Sequence, residues 1–171
     1  MTTTKITPRI YVACLASYNA GKLHGAWIDA TQEPEDIQAD VDAMLAGSSE
    51  PYAEEWAIHD HEGLGDIGEF ESFDRVSAIG QAVDDAGCDA PALLAFLALD
   101  YRIDPEDFED CYAGEWDSME DFAYDFHEDT GDLDHPLACY IDWKAVARDM
   151  EINDVWTADA PSGGVFVFWN R

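Results

Sequence analysis

Between residues 31 and 135 the sequence has no lysine and two arginines, Arg75 and Arg102, against 32 aspartates and glutamates. That segment alone accounts for the formal net charge of −30, since residues 1–30 and 136–171 together hold six acids and six bases. Bases this scarce leave no cationic patch for gripping nucleic acid or an anionic membrane, so neither is expected as a partner. Cysteine is thin too. Cys14, Cys88, Cys111 and Cys139 lie far apart with no CxxC pair, which argues for reduced, mostly buried thiols rather than disulfides or a zinc site. No apolar run reaches bilayer length, and the opening MTTTKITPR lacks the apolar stretch of a secretion signal, so the expected location is the cytoplasm. GxSxG, P-loop and GxGxxG motifs are all missing, and 38 acids make carboxylate pairs by chance. Nothing therefore names an enzyme, a catalytic residue or a cofactor.

What the chain does have is material for a core. Hydrophobic residues make up 47% of it, with six Trp, seven Tyr and eight Phe, whereas a disordered acidic tail is poor in both classes. Its 171 residues suffice for one ordinary domain or two to three very small ones. Ile10, Val12, Cys14 and Leu15 fall in a β-prone run, Gly21 marks a turn, and GAWIDA (25–30) is a second strand candidate. Pro34 predicts a helix start; Ile37, Val41, Met44 and Leu45 recur at helical spacing up to Gly47, read as the glycine following a helix end. A short strand is expected at 56–59. Gly63, Gly65 and Gly68 then make a flexible break and a first candidate boundary.

Helices are expected at 74–86, ending at Gly87, and from Pro91, where Leu93, Leu94, Phe96 and Leu97 leave too few polar residues for a surface helix. Asp104-Pro105 reads as the cap and first position of another helix. From Asp104 to Asp134 there are 14 acids in 31 residues and no base. Ser118 with Asp121 resembles a capping box, followed by an apolar face of Met119, Phe122, Ala123 and Phe126. A last helix is predicted at 142–150, and after Gly163-Gly164 a strand, VFVFW, at 165–169.

An acidic helix face is ordinarily just a solvated face. Here such faces recur from helix to helix with bases almost absent, while ordinary surfaces intersperse both signs. Salt adaptation predicts loss of bases throughout, yet the flanks are balanced. Duplex DNA carries one charge per ~1.7 Å of axis, so the net charge of −30 matches roughly 50 Å of duplex. A compact chain of this length has a radius of gyration of about 15 Å. Spread along one side, these carboxylates approach the charge density of DNA, which suits a partner that normally grips a polyanion. A salt-adapted enzyme or binding domain, and an acidic decoy for another DNA-binding protein, stand as alternatives.

Metal sites fail on detail. DTGDLD (129–134) lacks the spacing of an EF-hand, and His59 and His61, expected on one strand face beside Glu62, are followed by no HExxH. Phe108, Tyr112, Trp116 and Tyr124 lie within the most acidic stretch; they either pack in the core or face outward as a patch for self-association.

RIYVACLASYNAGKLHGAWIDA (9–30), EEWAIHDHEG (54–63) and YAGEWDSMEDFAYDF (112–126) together resemble the ArdA antirestriction proteins, in order and through most of the chain. The resemblance implies a small acidic DNA mimic, carried by mobile elements, that occupies the DNA-binding groove of type I restriction-modification enzymes and blocks cleavage. It implies an α+β fold, an elongated chain of three small domains: an N-terminal α/β domain (1–66), a central helical domain (67–107) and a C-terminal acidic α/β domain (108–171). A homodimer through the C-terminal part is implied as well, with the interface placed at Phe108, Tyr112 and Trp116. The acids assigned to the mimic surface are Glu35, Asp36, Asp40, Asp84, Asp85, Asp107, Glu109, Asp110, Glu115, Asp117, Glu120, Asp121, Asp125, Glu128 and Asp129. No metal or cofactor is implied.

Overall fold

The computed structural model describes residues 6–131, 133 and 135–170. The chain forms two compact units, Met1–Pro105 and Glu106–Arg171. Each is built on one three-stranded antiparallel sheet with helices, a mixed α+β architecture.

In the first unit β1 (Arg9–Cys14) is the central strand, between β2 (Gly25–Asp29) and β3 (Trp56–Glu62). Ile10, Val12 and Cys14 alternate along β1 and are fully buried, so their face of the sheet is the core side. The helix α1 (Leu15–Asn19) follows directly, and the chain reverses at Gly21, whose φ of 74° suits a residue without a Cβ. The next helix, α2 (Pro34–Ala46), has Pro34 in its first turn and buries Ile37, Val41 and Met44. On the opposite sheet face Tyr11 and Trp27 meet at 5.5 Å, with the Arg9 guanidinium 4.4 Å above the indole.

Ser72 caps α3 (Phe73–Ala86) by accepting the Arg75 amide at 3.3 Å. This helix packs hard against the segment after β2. A Cβ on Gly80 would lie 2.1 Å from the Ala30 carbonyl oxygen, and the Ser77 hydroxyl donates to the Gln32 carbonyl at 2.6 Å. After a 3-10 turn (Gly87–Asp89), α4 (Ala90–Leu97) buries Ala90, Ala92, Leu93, Phe96 and Leu97, as its shortage of polar residues predicts.

A 3-10 turn (Pro105–Asp107) and the four-residue α5 (Phe108–Cys111) lead into β4 (Tyr112–Trp116). Then follow α6 (Met119–Asp129), α7 (Trp143–Asn153), β5 (Val155–Asp159) and the central strand β6 (Val165–Trp169). Val165, Val167 and Trp169 pack with Met119, Phe122, Ala123, Ala147 and Met150 from α6 and α7. Phe166 and Phe168 alternate with them and meet Tyr112 at 6.3 and 5.7 Å. A strand with apolar partners on both sides needs no polar residue, which explains the unbroken VFVFW.

Several expectations need correction. The helix begun at Asp104-Pro105 lasts barely two turns, because Tyr112 turns extended (φ −70°, ψ 114°) to pair with β6. The strands β4 and β5 were not anticipated. All four cysteines are free, but Cys88 and Cys139 are exposed and only Cys14 and Cys111 buried. His59 falls at a β-bulge, opposite no residue of β1, so strict alternation with His61 breaks there; its ring instead meets Tyr18 edge-on at 4.9 Å. Within the DTGDLD loop, Asp132 and Asp134 lie outside the described residues. Among the described residues no helix is long and apolar enough to cross a membrane.

Candidate interaction surface

The element with the most acids is α6. Its start is a capping arrangement: Ser118 Oγ accepts the Asp121 amide at 3.2 Å and donates to Asp121 Oδ2 at 2.5 Å. Met119, Phe122 and Ala123 anchor the inner face. Helical periodicity then turns Asp121, Asp125, Glu128 and Asp129 (i, i+4, i+7, i+8) to one outer side; Asp125 is half-buried and the other three are exposed. From Asp121 to Asp129 the helix rises ~12 Å, so the three intervals between these carboxylates average ~4 Å of axis. One strand of duplex DNA carries a phosphate every ~3.4 Å. The Tyr124 hydroxyl donates to Glu128 at 3.3 Å, and the Glu128 charge, with some desolvation, pushes the Tyr124 phenol above its usual pKa. Glu120 stands apart from the row. It is half-buried and lines a cleft with Lys144 and Arg148 of α7.

The other candidate acids sit on shorter stretches. Glu35 and Asp36 occupy the first turn of α2, where the helix dipole favours negative charge. Asp40 accepts from the Gln32 amide at 3.1 Å, a neutral partner. Asp84 is half-buried and Asp85 exposed in the last turn of α3; Asp107 is half-buried, and Glu109 and Asp110 are exposed on α5. Glu115, exposed on β4, accepts a hydrogen bond from Ser162, and Asp117 is exposed just beyond it. Exposed acids at Glu54, Glu55, Asp66, Glu69 and Asp74 were passed over. Most lie in loops, where no helical spacing draws attention to them, and the plain absence of lysine and arginine from 31 to 74 was the signal that included them.

The ion pairs Arg9–Glu62 at 2.8 Å, Lys22–Glu50, and Arg102–Asp100 at 2.5 Å all use acids outside the candidate set. Hydrogen bonding from Arg102 holds the Asp100 carboxyl down at about 2, and Arg9 lowers Glu62 in the same way. Arg75 donates to the Ile103 carbonyl at 3.3 Å.

Of the residues assigned to self-association, Phe108 is buried and stacked on Tyr112 at 4.8 Å. Tyr112 and Trp116 are half-buried. Trp116 packs against Phe122 at 5.5 Å, while its indole N–H is buried without a hydrogen-bond partner. Tyr124 is 40% exposed. Among the described residues no group of three or more His, Cys, Asp or Glu side chains is placed to hold a metal ion.

Two small antiparallel sheets carrying helices define the class, a mixed α+β protein. The model of the ArdA antirestriction protein family matches residues 10–161, and the chain belongs to that family. It is thus an antirestriction protein, a non-enzymatic inhibitor, and its family implies a type I restriction enzyme as target. No curated protein matches the chain.

Proposed function

We propose that this protein inhibits a type I restriction-modification enzyme by occupying its DNA-binding groove, with carboxylates standing where phosphates stand in DNA. The observation that carries this reading is the outer row of α6, where Asp121, Asp125, Glu128 and Asp129 recur at nearly the axial spacing of phosphates on one strand. Lysines and arginines that normally contact the DNA backbone then pair with these acids. Affinity without sequence readout is largely electrostatic, so the mimic has no need to copy base edges. The remaining candidate acids, Glu120 aside, add negative charge to each unit, and the scarcity of lysine and arginine between residues 31 and 135 leaves little to neutralise it. A homodimer through Tyr112 and Trp116, with Phe108 behind them, doubles that surface. The protein acts where its target works, in the cytoplasm.

The test is DNA cleavage by a purified type I enzyme, titrated with the protein at two DNA and two salt concentrations. Inhibition is expected to weaken as either rises. Inhibition indifferent to DNA concentration would exclude competition for the groove. No inhibition by folded protein would leave a decoy for another DNA-binding protein, or acids that serve only salt adaptation.

A further inference from the structure

Trp56 opens β3, and its ring stacks on Phe73 with centroids 4.7 Å apart. Phe70, just before α3, is 69% exposed. These three rings line an open groove of about 580 Å³, whose rim carries Glu35 from α2 and Glu71 and Asp74 at the entry to α3. An aromatic floor with a negative rim selects its occupant by chemistry. A guanidinium stacks flat on aromatic faces and hydrogen-bonds carboxylates through its edge, so it uses both features at once. An ammonium is a compact, strongly hydrated charge that answers the rim better than the floor. Anions are repelled by the three carboxylates, and a neutral apolar group offers them no positive charge, Glu71 keeping only its hydrogen bond from the Ser72 amide at 3.2 Å.

The geometry points to an arginine side chain of the target's DNA-binding surface as the occupant of this groove, an assignment that rests on the mimic reading above. Phe70 then acts as a local anchor, an aromatic ring enclosed by polar contacts, the arrangement on which binding energy commonly concentrates. Distributed carboxylates supply attraction at a distance; the groove holds one cation in a fixed place.

Phe70→Ala removes a mostly exposed ring and no charge. It should raise the protein concentration needed for half-inhibition of a type I enzyme by about five- to tenfold, without changing the salt dependence, which follows the number of charges. A direct probe is N-acetylarginine amide, titrated into protein labelled with 5-fluorotryptophan, the Trp56 signal being assigned with Trp56→Phe. A saturable shift at Trp56 is expected, weaker with N-acetyllysine amide and lost in Phe70→Ala and in Glu35→Gln/Asp74→Asn. An absent shift, or a Phe70→Ala variant that inhibits like the parent, overturns the arginine groove and leaves DNA competition by the parent untouched. Parent inhibition insensitive to DNA removes the mimic reading, and the groove's assignment with it.

Discussion

Asp100 and Glu62 each have an arginine beside them, and they mark how a carboxylate in this chain behaves when a cation is within reach. On the outer row of α6, Asp121 and Glu128 accept hydrogen bonds from a serine and a tyrosine hydroxyl instead. Losing one such charge should cost binding no more than an exposed ion pair, ~0.2–1 kcal/mol, so the acids matter as a group. The aromatic residues do not average out in this way. Tyr112 lies against Phe108, Phe166 and Phe168 yet keeps part of its surface open. If that surface is buried by a second copy, Tyr112→Asp places a desolvated carboxylate in the interface and should shift sedimentation toward monomer. Near-ultraviolet circular dichroism checks that the variant is folded. A folded variant with the parent's sedimentation profile takes Tyr112 out of the interface.

Elements group those acids, and α6 is the element on which to test them. Neutralising Asp121, Asp125, Glu128 and Asp129 together, to Asn and Gln, should weaken inhibition of cleavage at least tenfold and flatten its dependence on salt, since four phosphate-like charges are gone. Glu120→Gln is the control. Glu120 lies in the cleft with Lys144 and Arg148 and should change inhibition little. Full inhibition by the folded quadruple variant would move the mimic surface off α6. The helix itself was legible in the sequence because cap, apolar spacing and charge all agreed there. Also legible were α2 and α3 by their start and stop signals, α4 by its shortage of polar residues and β6 by its β-prone run. The strand β4 was hidden by a bulge and by Gly114 at φ 121°, which break the two-residue period, and by the preceding Asp-Pro signal, which reads as the start of a longer helix. Val155 and Thr157 in β5 did carry β-branched alternation, masked by following directly on α7. The outer row of α6 could be read, since the same periodicity that buries Phe122 exposes Asp121. The place of Glu120 beside α7 could not, because it depends on how two helices pack.

For the whole molecule, salt acts on stability and on inhibition in opposite directions. A net charge of −30 on a folded chain repels itself, and screening shortens that repulsion to about 10 Å at 0.1 M. Salt also weakens the exposed pairs Arg9–Glu62 and Arg102–Asp100, but surface pairs of this kind contribute little to stability. Against so large an excess of one sign the repulsion dominates, and the melting temperature should rise between low and moderate salt. Binding to a cationic groove gains from the same charges, so inhibition should fall over the same range. A fold whose acids only adapt it to salt would instead gain stability with salt and show no inhibition to lose. Measuring melting temperature and half-inhibition across one salt series therefore separates the two readings: a rise in the first with a fall in the second supports mimicry. A melting temperature that stays flat would mean that the charges are already spread apart or paired.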